Sequence, residues 1–237
     1  MQADWNKHPP LAEGAFMLGK RINQKTAWVF ANGMLEEPEA LRPYIHTGDY
    51  ITAADAGARH VERLGLRLEL LVGDLDSISQ QELHYWQNSG CEILRFPPEK
   101  DDTDLELALA TVWDRGYRTI RVAAGLGGRL DQTWGNVVML AQMRYAVGDV
   151  RLEDGRTQVS VIRRARQIQG QAGDTISLLP LDGPALGVVT SGLVYPLEAE
   201  DLDPHRTRGI SNILAANSAE VRLEHGTLIC IHTRRKN

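Results

Sequence analysis

Short apolar segments that alternate with helical patterns limit the fold of the first 148 residues more than any other feature. Each apolar segment is followed by a glycine, aspartate, asparagine or proline, as is typical of buried strands leaving a sheet. The predicted strands are residues 27–31, 50–54, 68–72, 91–96 and 119–124, and the predicted helices are residues 58–64, 80–87, 103–115 and 131–145. This alternation predicts an α/β fold with a mostly parallel, Rossmann-like sheet flanked by helices, whose ligands bind at the carboxyl ends of the strands.

The pattern changes near Gly148. Short β-type segments separated by turns then continue to the end of the chain, which is typical of an antiparallel sandwich or barrel. We therefore predict three parts: an N-terminal extension of residues 1–26, an α/β domain of residues 27–148 and a β-sandwich domain of residues 149–237.

An acidic segment, Gly73-Asp74-Leu75-Asp76-Ser77, follows the third predicted strand. If the backbone stays extended there, Asp74 and Asp76 point to the same side. Two adjacent carboxylates repel each other unless a cation lies between them, and Mg²⁺ is the usual partner of such oxygen ligands. The alternative is an ordinary polar turn, since aspartate, glycine and serine are common turn residues.

A second acidic segment, residues 100–106, joins the fourth strand to a helix. Thr103 and Glu106 have the spacing of a helix cap, and carboxylates near a helix N-terminus are favoured by the helix dipole. Capping explains one or two of the four carboxylates in this segment. The remaining acidic residues favour a metal site, with Lys100 and Thr103 available for phosphate oxygens.

A glycine-rich turn, residues 125–131, precedes the next helix. Glycine lets the backbone approach a phosphate, and Arg129 can bind phosphate through its planar guanidinium group. The alternative is a flexible turn in which Asp131 caps the helix. The segment matches neither the G-x-G-x-x-G fingerprint nor a Walker loop.

Composition excludes several classes of protein. The 237 residues include 26 Lys and Arg against 31 Asp and Glu, a formal charge of −5, which argues against a general nucleic-acid binder. Two distant cysteines suit neither a disulfide framework nor a zinc site. No apolar run approaches the ~18 residues of a membrane span, and no secretory signal is recognisable. We expect a cytoplasmic protein without a membrane segment.

Taken together and in order, these motifs resemble the thiamine pyrophosphokinase (thiamine diphosphokinase) family from about residue 27 onward. The matching segments are residues 55–57, 73–77, 100–106, 127–131, 177–181, 192–197 and 211–212. Two positions depart from the family pattern: Ala56 stands where glycine is usual, and Gln132 stands where histidine is common.

The resemblance implies Mg²⁺-dependent transfer of the pyrophosphoryl group of ATP to the hydroxyl of thiamine, giving thiamine diphosphate and AMP. It implies a homodimer whose thiamine site lies between subunits. The implied catalytic residues are Asp74, Asp76, Asp104 and Arg129, and the implied metal ligands are Asp74, Asp76, Asp101 and Asp104. The implied ATP-binding residues are Asp55, Lys100, Thr103, Arg129 and Asp131. The implied thiamine-binding residues are Tyr195, Ser211 and Asn212.

Two other functions compete with this interpretation. A nucleotide-sugar transferase would explain the Asp74 and Asp76 pair but not the later motifs. A regulator that binds nucleotide or thiamine without catalysis would have no need of so many uncompensated carboxylates.

Overall fold

The computed structural model describes residues 23–235, so the predicted extension lies outside the described residues except for its last four. The strands are β1 Asn23–Phe30, β2 Tyr50–Ala54, β3 Leu70–Gly73, β4 Glu92–Arg95, β5 Tyr117–Ala123, β6 Asp149–Glu153, β7 Thr157–Ile162, β8 Ala165–Gln169, β9 Thr175–Pro180, β10 Ala185–Ser191, β11 Glu200–Leu202, β12 Asn212–Ile213, β13 Ser218–Arg222 and β14 Leu228–Thr233. The α-helices are α1 Ala58–Arg63, α2 Gln80–Asn88, α3 Asp104–Asp114 and α4 Leu130–Met139, and 3₁₀ segments cover Pro38–Tyr44, Asp55–Gly57 and Met143–Tyr145.

A ten-stranded sheet forms the centre of the molecule, in the order β12-β9-β14-β7-β6-β5-β1-β2-β3-β4. Strands β1 to β5 are parallel to one another, as predicted. Strand β6 is also parallel to β5, although residues 149–153 were assigned to the antiparallel β-sandwich domain. Strands β2, β3 and β4 follow one another on one side of β1. The chain then crosses back, and β5 pairs with β1 on its other side. This reversal leaves a crevice beyond the carboxyl ends of β1 and β5, which is where open α/β sheets bind ligands.

Helices cover both faces of the parallel part. The helix α3 buries Leu105, Leu109 and Val112, which recur at helical spacing, against one face. On the other face, Val61 of α1 and Leu83 of α2 pack in a second core. The sheet edge that carries the loops is therefore held rigidly from both sides.

The β-sandwich is also confirmed. A second sheet, in the order β11-β10-β13-β8, packs on the β7, β9 and β14 part of the large sheet. Its core includes Val188 and Val221 from the second sheet and Ile176 and Leu228 from the first. Because β6 pairs with both β5 and β7, the large sheet runs without interruption past residue 148.

Two boundaries differ from the predictions by more than two residues. The strand β1 begins at Asn23, inside the predicted extension. The helix predicted for residues 131–145 ends at Met139, and a 3₁₀ segment follows. The tighter segment places Tyr145 against Trp113, with ring centroids 5.2 Å apart, so tertiary packing outweighs helical periodicity there.

Both cysteines, Cys91 and Cys230, are buried and free. Within residues 23–235, no helix has the length and apolar character needed to cross a membrane.

Candidate active site

A cleft of about 630 Å³ lies beyond the carboxyl ends of the parallel strands. The loops after β1 to β5 all contribute to it, so its position is the one that the sheet topology predicts. The predicted site residues that line it are Asp55, Asp74, Lys100, Thr103, Asp104 and Arg129.

Three carboxylates converge in this cleft. Oxygen atoms of Asp55, Asp74 and Asp104 all lie within 4.8 Å of one another. The Lys100 ammonium lies 3.2 Å from Asp74 Oδ2 and 2.8 Å from Asp104 Oδ1. One ammonium cannot compensate three carboxylates, so the site keeps an excess of negative charge that a divalent cation would neutralise.

Asp55 is the most constrained of the three. It is only 5 % exposed, and its Oδ1 has no hydrogen-bond partner among residues 23–235. Burial raises the pKa of its carboxyl group, and the nearby charges of Asp104 and Asp76 raise it further, although a hydrogen bond from Ser77 opposes them. A buried carboxylate oxygen without a partner is costly, and a metal ion would satisfy it. The residues present therefore fit a divalent cation.

Asp74 has the opposite environment. Its pKa is lowered, chiefly because the Asp76 N–H donates a hydrogen bond to its Oδ1 over 3.1 Å, and also because Lys100 is close. Asp74 is thus held as a carboxylate, ready to bind a cation. Two acidic groups with opposite pKa shifts in one cleft are typical of a functional site.

The prediction of an extended backbone through Asp74 and Asp76 is wrong. The strand β3 ends at Gly73, and Leu75 has a φ of +66°, so the chain turns between the two aspartates. Asp76 is exposed and lies outside the group of three carboxylates. Its Oδ1 accepts a hydrogen bond from Ser77 Oγ over 2.9 Å. Asp55, which the resemblance assigned to the nucleotide, lies in that group instead.

Gly73 allows the carboxylates of Asp55, Asp74 and Asp104 to lie close together. Its φ is +150°, and a Cβ placed on it would lie 3.2 Å from Asp104 Oδ1 and 3.3 Å from Asp55 Cβ. A side chain at this position would push two of the three carboxylates apart.

The loop after β4 brings Lys100, Asp102 and Thr103 to the cleft, whereas Asp101 is exposed and does not line it. Thr103 is the N-cap of α3, as predicted, because its Oγ1 accepts a hydrogen bond from Glu106 N over 3.2 Å. Its hydroxyl proton is still available, since a hydroxyl both donates and accepts. A metal-binding role for Asp101 stays a prediction.

The glycine-rich turn closes the other side of the cleft. Gly127 and Gly128 have φ values of +86° and +79°, which residues with a Cβ adopt only under strain. Arg129 follows them and is 74 % exposed, and its Nη2 lies 2.5 Å from Asp131 Oδ2. Asp131 thereby raises the pKa of Arg129, and Arg129 lowers that of Asp131. The helix begins at Leu130, so Asp131 does not cap it.

Backbone strain is concentrated around the cleft. Asp55, Leu75 and Ala124 follow three different strands, and their φ values are +48°, +66° and +55°. Each left-handed residue with a side chain costs about 1–2 kcal/mol. Such strain persists only where packing enforces it, and it is common at functional sites.

Arg59 of α1 holds the acidic loop in place. Its Nη2 donates to the Ser77 carbonyl over 2.8 Å, and its Nε donates to Glu82 Oε1 over 2.7 Å. Glu82 also completes the capping box of α2 with Ser79. Arg59 and Ser79 lower the pKa of Glu82 from 4.5 to about 2.

Glu82→Gln is expected to destabilise the protein by about 1 kcal/mol at neutral pH, because the partly exposed ion pair with Arg59 is lost and a neutral acceptor replaces the charged one in the capping box. The folded-state pKa of Glu82 lies below its unfolded value, so its stabilisation is present above pH 4.5 and is lost as the pH falls towards about 2. Chemical denaturation of both proteins at several pH values tests this. A difference that stays constant down to pH 2 would contradict it.

The predicted thiamine residues lie far from the carboxylates in the same chain. Asn212 is on β12 and bridges to Tyr195 by two hydrogen bonds, and Ser211 donates its N–H to Ser177 Oγ over 3.0 Å. The strand β12 is seven positions from β2 in the large sheet. At roughly 4.8 Å per strand, the two groups are about 30 Å apart along the sheet.

Several cleft residues were not predicted. Asn32, Gly33 and Met34 form the loop after β1, and Asn136 donates to the Gly125 carbonyl over 2.9 Å. The Asn32-Gly33 pair after an apolar strand was a signal for a loop at this edge. Asn136 carries no signal in the sequence, because its role depends on how α4 packs.

Comparison with known proteins gives a consistent result. Residues 41–151 match the family model "Thiamin pyrophosphokinase, catalytic domain", and residues 160–228 match "Thiamin pyrophosphokinase, vitamin B1 binding domain". The thiamine pyrophosphokinase of Bacillus subtilis is 27% identical over 185 residues, which cover 77% of this chain and 83% of that protein.

Solved structures share the fold. The crystal structure of the Bacillus subtilis thiamine pyrophosphokinase superposes with a TM-score of 0.79 at 24% identity, covering 90% of this chain and 100% of that one. The thiamin pyrophosphokinase from Geobacillus thermodenitrificans superposes with a TM-score of 0.77 at 23% identity, covering 90% of this chain and 99% of that one.

The fold and the acidic, lysine-containing cleft agree with the transferase (kinase) class that these family models describe. The two family models together cover most of the chain. The chain belongs to the thiamin pyrophosphokinase family, the enzymes that make thiamine diphosphate from thiamine.

Proposed function

We propose that this enzyme transfers the β,γ-pyrophosphoryl group of ATP to the hydroxyl group of thiamine, with Mg²⁺ as cofactor, and releases thiamine diphosphate and AMP. The observation that carries the proposal is the convergence of Asp55, Asp74 and Asp104 beside Lys100. Pyrophosphoryl transfer needs aligned reactants and neutralised charge rather than a covalent protein intermediate.

Carboxylate oxygens are the ligands that Mg²⁺ prefers. Asp55, Asp74 and Asp104 would hold the ion, with Asp76 and Asp101 as the further ligands proposed from the sequence. An ion held there would supply positive charge beside the phosphate oxygens and lower the cost of charge development during transfer. The unpartnered Oδ1 of Asp55 supports this assignment, because the ion would supply the missing partner.

The remaining cleft residues suit the triphosphate of ATP. Lys100 already lies between two carboxylates and can bind a phosphate oxygen with its third proton. The Thr103 hydroxyl proton and the Arg129 guanidinium offer further donors from two other sides. Asp131 orients Arg129 through their ion pair.

The position of the thiamine site supports a homodimer. Thiamine bound at Tyr195, Ser211 and Asn212 would lie about 30 Å from the carboxylates of its own chain, too far for a direct transfer. A second subunit would bring its own Tyr195, Ser211 and Asn212 to the cleft. The side chain of Tyr195 is 59 % exposed, as a residue that stacks on a cationic ring across an interface would be.

Arg129→Ala is expected to raise the KM for ATP by about tenfold, because a charge-assisted contact to phosphate is lost, and to leave the KM for thiamine almost unchanged. Steady-state kinetics with each substrate varied in turn measures both constants. Arg67→Ala, which removes an exposed arginine outside the cleft, is the control. An unchanged KM for ATP would show that Arg129 does not bind the nucleotide.

The function is tested by incubating the purified full chain with ATP, Mg²⁺ and thiamine and separating the products by chromatography. We expect thiamine diphosphate to form only when all three are present. A protein that binds ATP or thiamine but forms no thiamine diphosphate would refute the proposal.

A further inference from the structure

A second polar cavity opens at the same edge of the large sheet, beyond the end of β6. Its volume is about 700 Å³, and three arginines line it: Arg156, Arg234 and Arg235. A smaller cavity of about 250 Å³ shares Arg156 with it and Gly127 with the catalytic cleft. The three cavities thus form a row along one edge of the sheet.

Arg234 is a fixed part of the wall. Its two terminal nitrogens lie 2.7 and 2.9 Å from the carboxylate oxygens of Glu153, which is 2 % exposed. The guanidinium carbon is 4.4 Å from the centre of the Tyr44 ring, and the backbone N–H donates to the Arg156 carbonyl over 2.9 Å. This pairing cancels the charge of Arg234 and brings the backbones of Arg156 and Arg235 close together.

The one buried acid in the cavity wall, Asp174, is fully satisfied by the protein. Its Oδ1 accepts a hydrogen bond from Arg235 N over 2.9 Å. Its Oδ2 accepts one from Gln171 N over 2.9 Å and lies 2.8 Å from His232 Nε2. Asp174 is 2 % exposed, and these contacts compensate its negative charge without any arginine side chain.

The guanidinium groups of Arg156 and Arg235 are different. Within residues 23–235, neither has a hydrogen-bond or ion-pair partner, although both line the cavity. Glu37 is the one other acidic residue that lines the cavity. It is exposed and directly precedes the 3₁₀ segment Pro38–Tyr44. Two uncompensated guanidinium groups in one concave polar site create a positive potential that attracts anions.

We propose that this cavity is a second ligand site, which binds a small phosphate-bearing anion through Arg156 and Arg235. The planar donor pattern of guanidinium matches phosphate oxygens, and the volume exceeds that of a single phosphate group. The site is separate from the group of Asp55, Asp74 and Asp104, and it does not depend on the proposed function of that group.

The test uses inorganic pyrophosphate and the full chain in EDTA at constant ionic strength, with binding measured by calorimetry. Without a divalent cation, the carboxylates of the catalytic cleft repel the probe, so binding reports on the arginine cavity. We expect saturable binding to the wild-type protein. We expect the double variant Arg156→Gln, Arg235→Gln to weaken it by about tenfold or more, since two charge-assisted contacts are lost.

Two comparisons make the result decisive. Arg67→Gln with Arg222→Gln removes the same charge from exposed positions outside the cavity and should leave the affinity unchanged. Gln169→Glu adds a negative charge to the lining without removing an arginine and should also weaken binding. No binding by the wild-type protein, or equal affinity in the wild-type protein and the arginine variant, would overturn the proposal.

Discussion

Asp55→Asn is expected to stabilise the metal-free protein and, at the same time, to reduce turnover with Mg²⁺, ATP and thiamine by roughly a hundredfold or more. The stabilisation follows from the environment of Asp55, a buried carboxylate with one unpartnered oxygen close to the charge of Asp104. An amide carries no charge to bury, and asparagine tolerates the observed φ of +48° better than most residues. The gain should be about 1 kcal/mol or more.

The pH dependence has a defined sign. Burial raises the folded-state pKa of Asp55 above its ordinary value of 3.8, so folding disfavours the carboxylate. In the metal-free wild-type protein, this cost is present above the raised pKa, decreases as the pH falls below it, and is gone below the ordinary value of 3.8. The stability difference between Asp55→Asn and the wild-type protein should therefore shrink in acid.

Thermal denaturation in EDTA and steady-state kinetics in Mg²⁺ measure the two effects on the same protein samples. Asp203→Asn removes an exposed carboxylate in the β-sandwich half and should change neither. If Asp55→Asn kept the wild-type turnover, Asp55 would not be a metal ligand. If it lowered the melting temperature in EDTA, the carboxylate would be satisfied within the protein.

The second large effect concerns the dimer. Asp74→Asn should abolish Mg²⁺-dependent turnover while the fold survives, and Asn212→Ala should abolish productive thiamine binding. Neither variant should be active alone. After the two are mixed and allowed to exchange subunits, we expect about a quarter of the wild-type activity to return, because half of the dimers would be mixed and each would hold one intact site.

The expected recovery depends on the distance between the two groups of residues. A cleft with an intact Asp74 would receive an intact Asn212 from the other subunit, about 30 Å from that subunit's own carboxylates. Mixing two samples of Asp74→Asn is the control and should restore nothing. An inactive mixture whose subunits are shown to exchange would contradict a site shared between subunits.

Much of the fold could be predicted because local signals and tertiary structure agree. The strands before Asp55, Gly73 and Gly125 are apolar runs that end at turn residues, and the sheet uses them in that way. The cap at Thr103 and the apolar stripe of α3 likewise depend on short sequence spacings. Strand β8 was not predicted, because only Ile168 in it is buried and its other residues lack an apolar pattern.

The site was predicted less completely, for a physical reason. The rule that residues two apart share a side holds only for extended backbone, and Leu75 is left-handed. That one torsion angle separates Asp76 from the carboxylate group, and Asp55 enters it because β2 neighbours β3. Which carboxylates meet is decided by strand order, which no local spacing contains.

The continuity of the large sheet has the same origin. The change of pattern near Gly148 marks the end of the helices but not the end of the sheet. Since β6 pairs with a strand of each half, one continuous sheet joins the cleft to the β-sandwich.

The nucleotide product distinguishes pyrophosphoryl transfer from the transfer of a single phosphoryl group. The full chain is incubated with ATP, thiamine and Mg²⁺, and both the nucleotide and the thiamine products are quantified over time. We expect AMP and thiamine diphosphate in equal amounts, because one pyrophosphoryl group leaves each ATP. ADP formed together with thiamine monophosphate, or any nucleotide turnover that does not depend on thiamine, would contradict it.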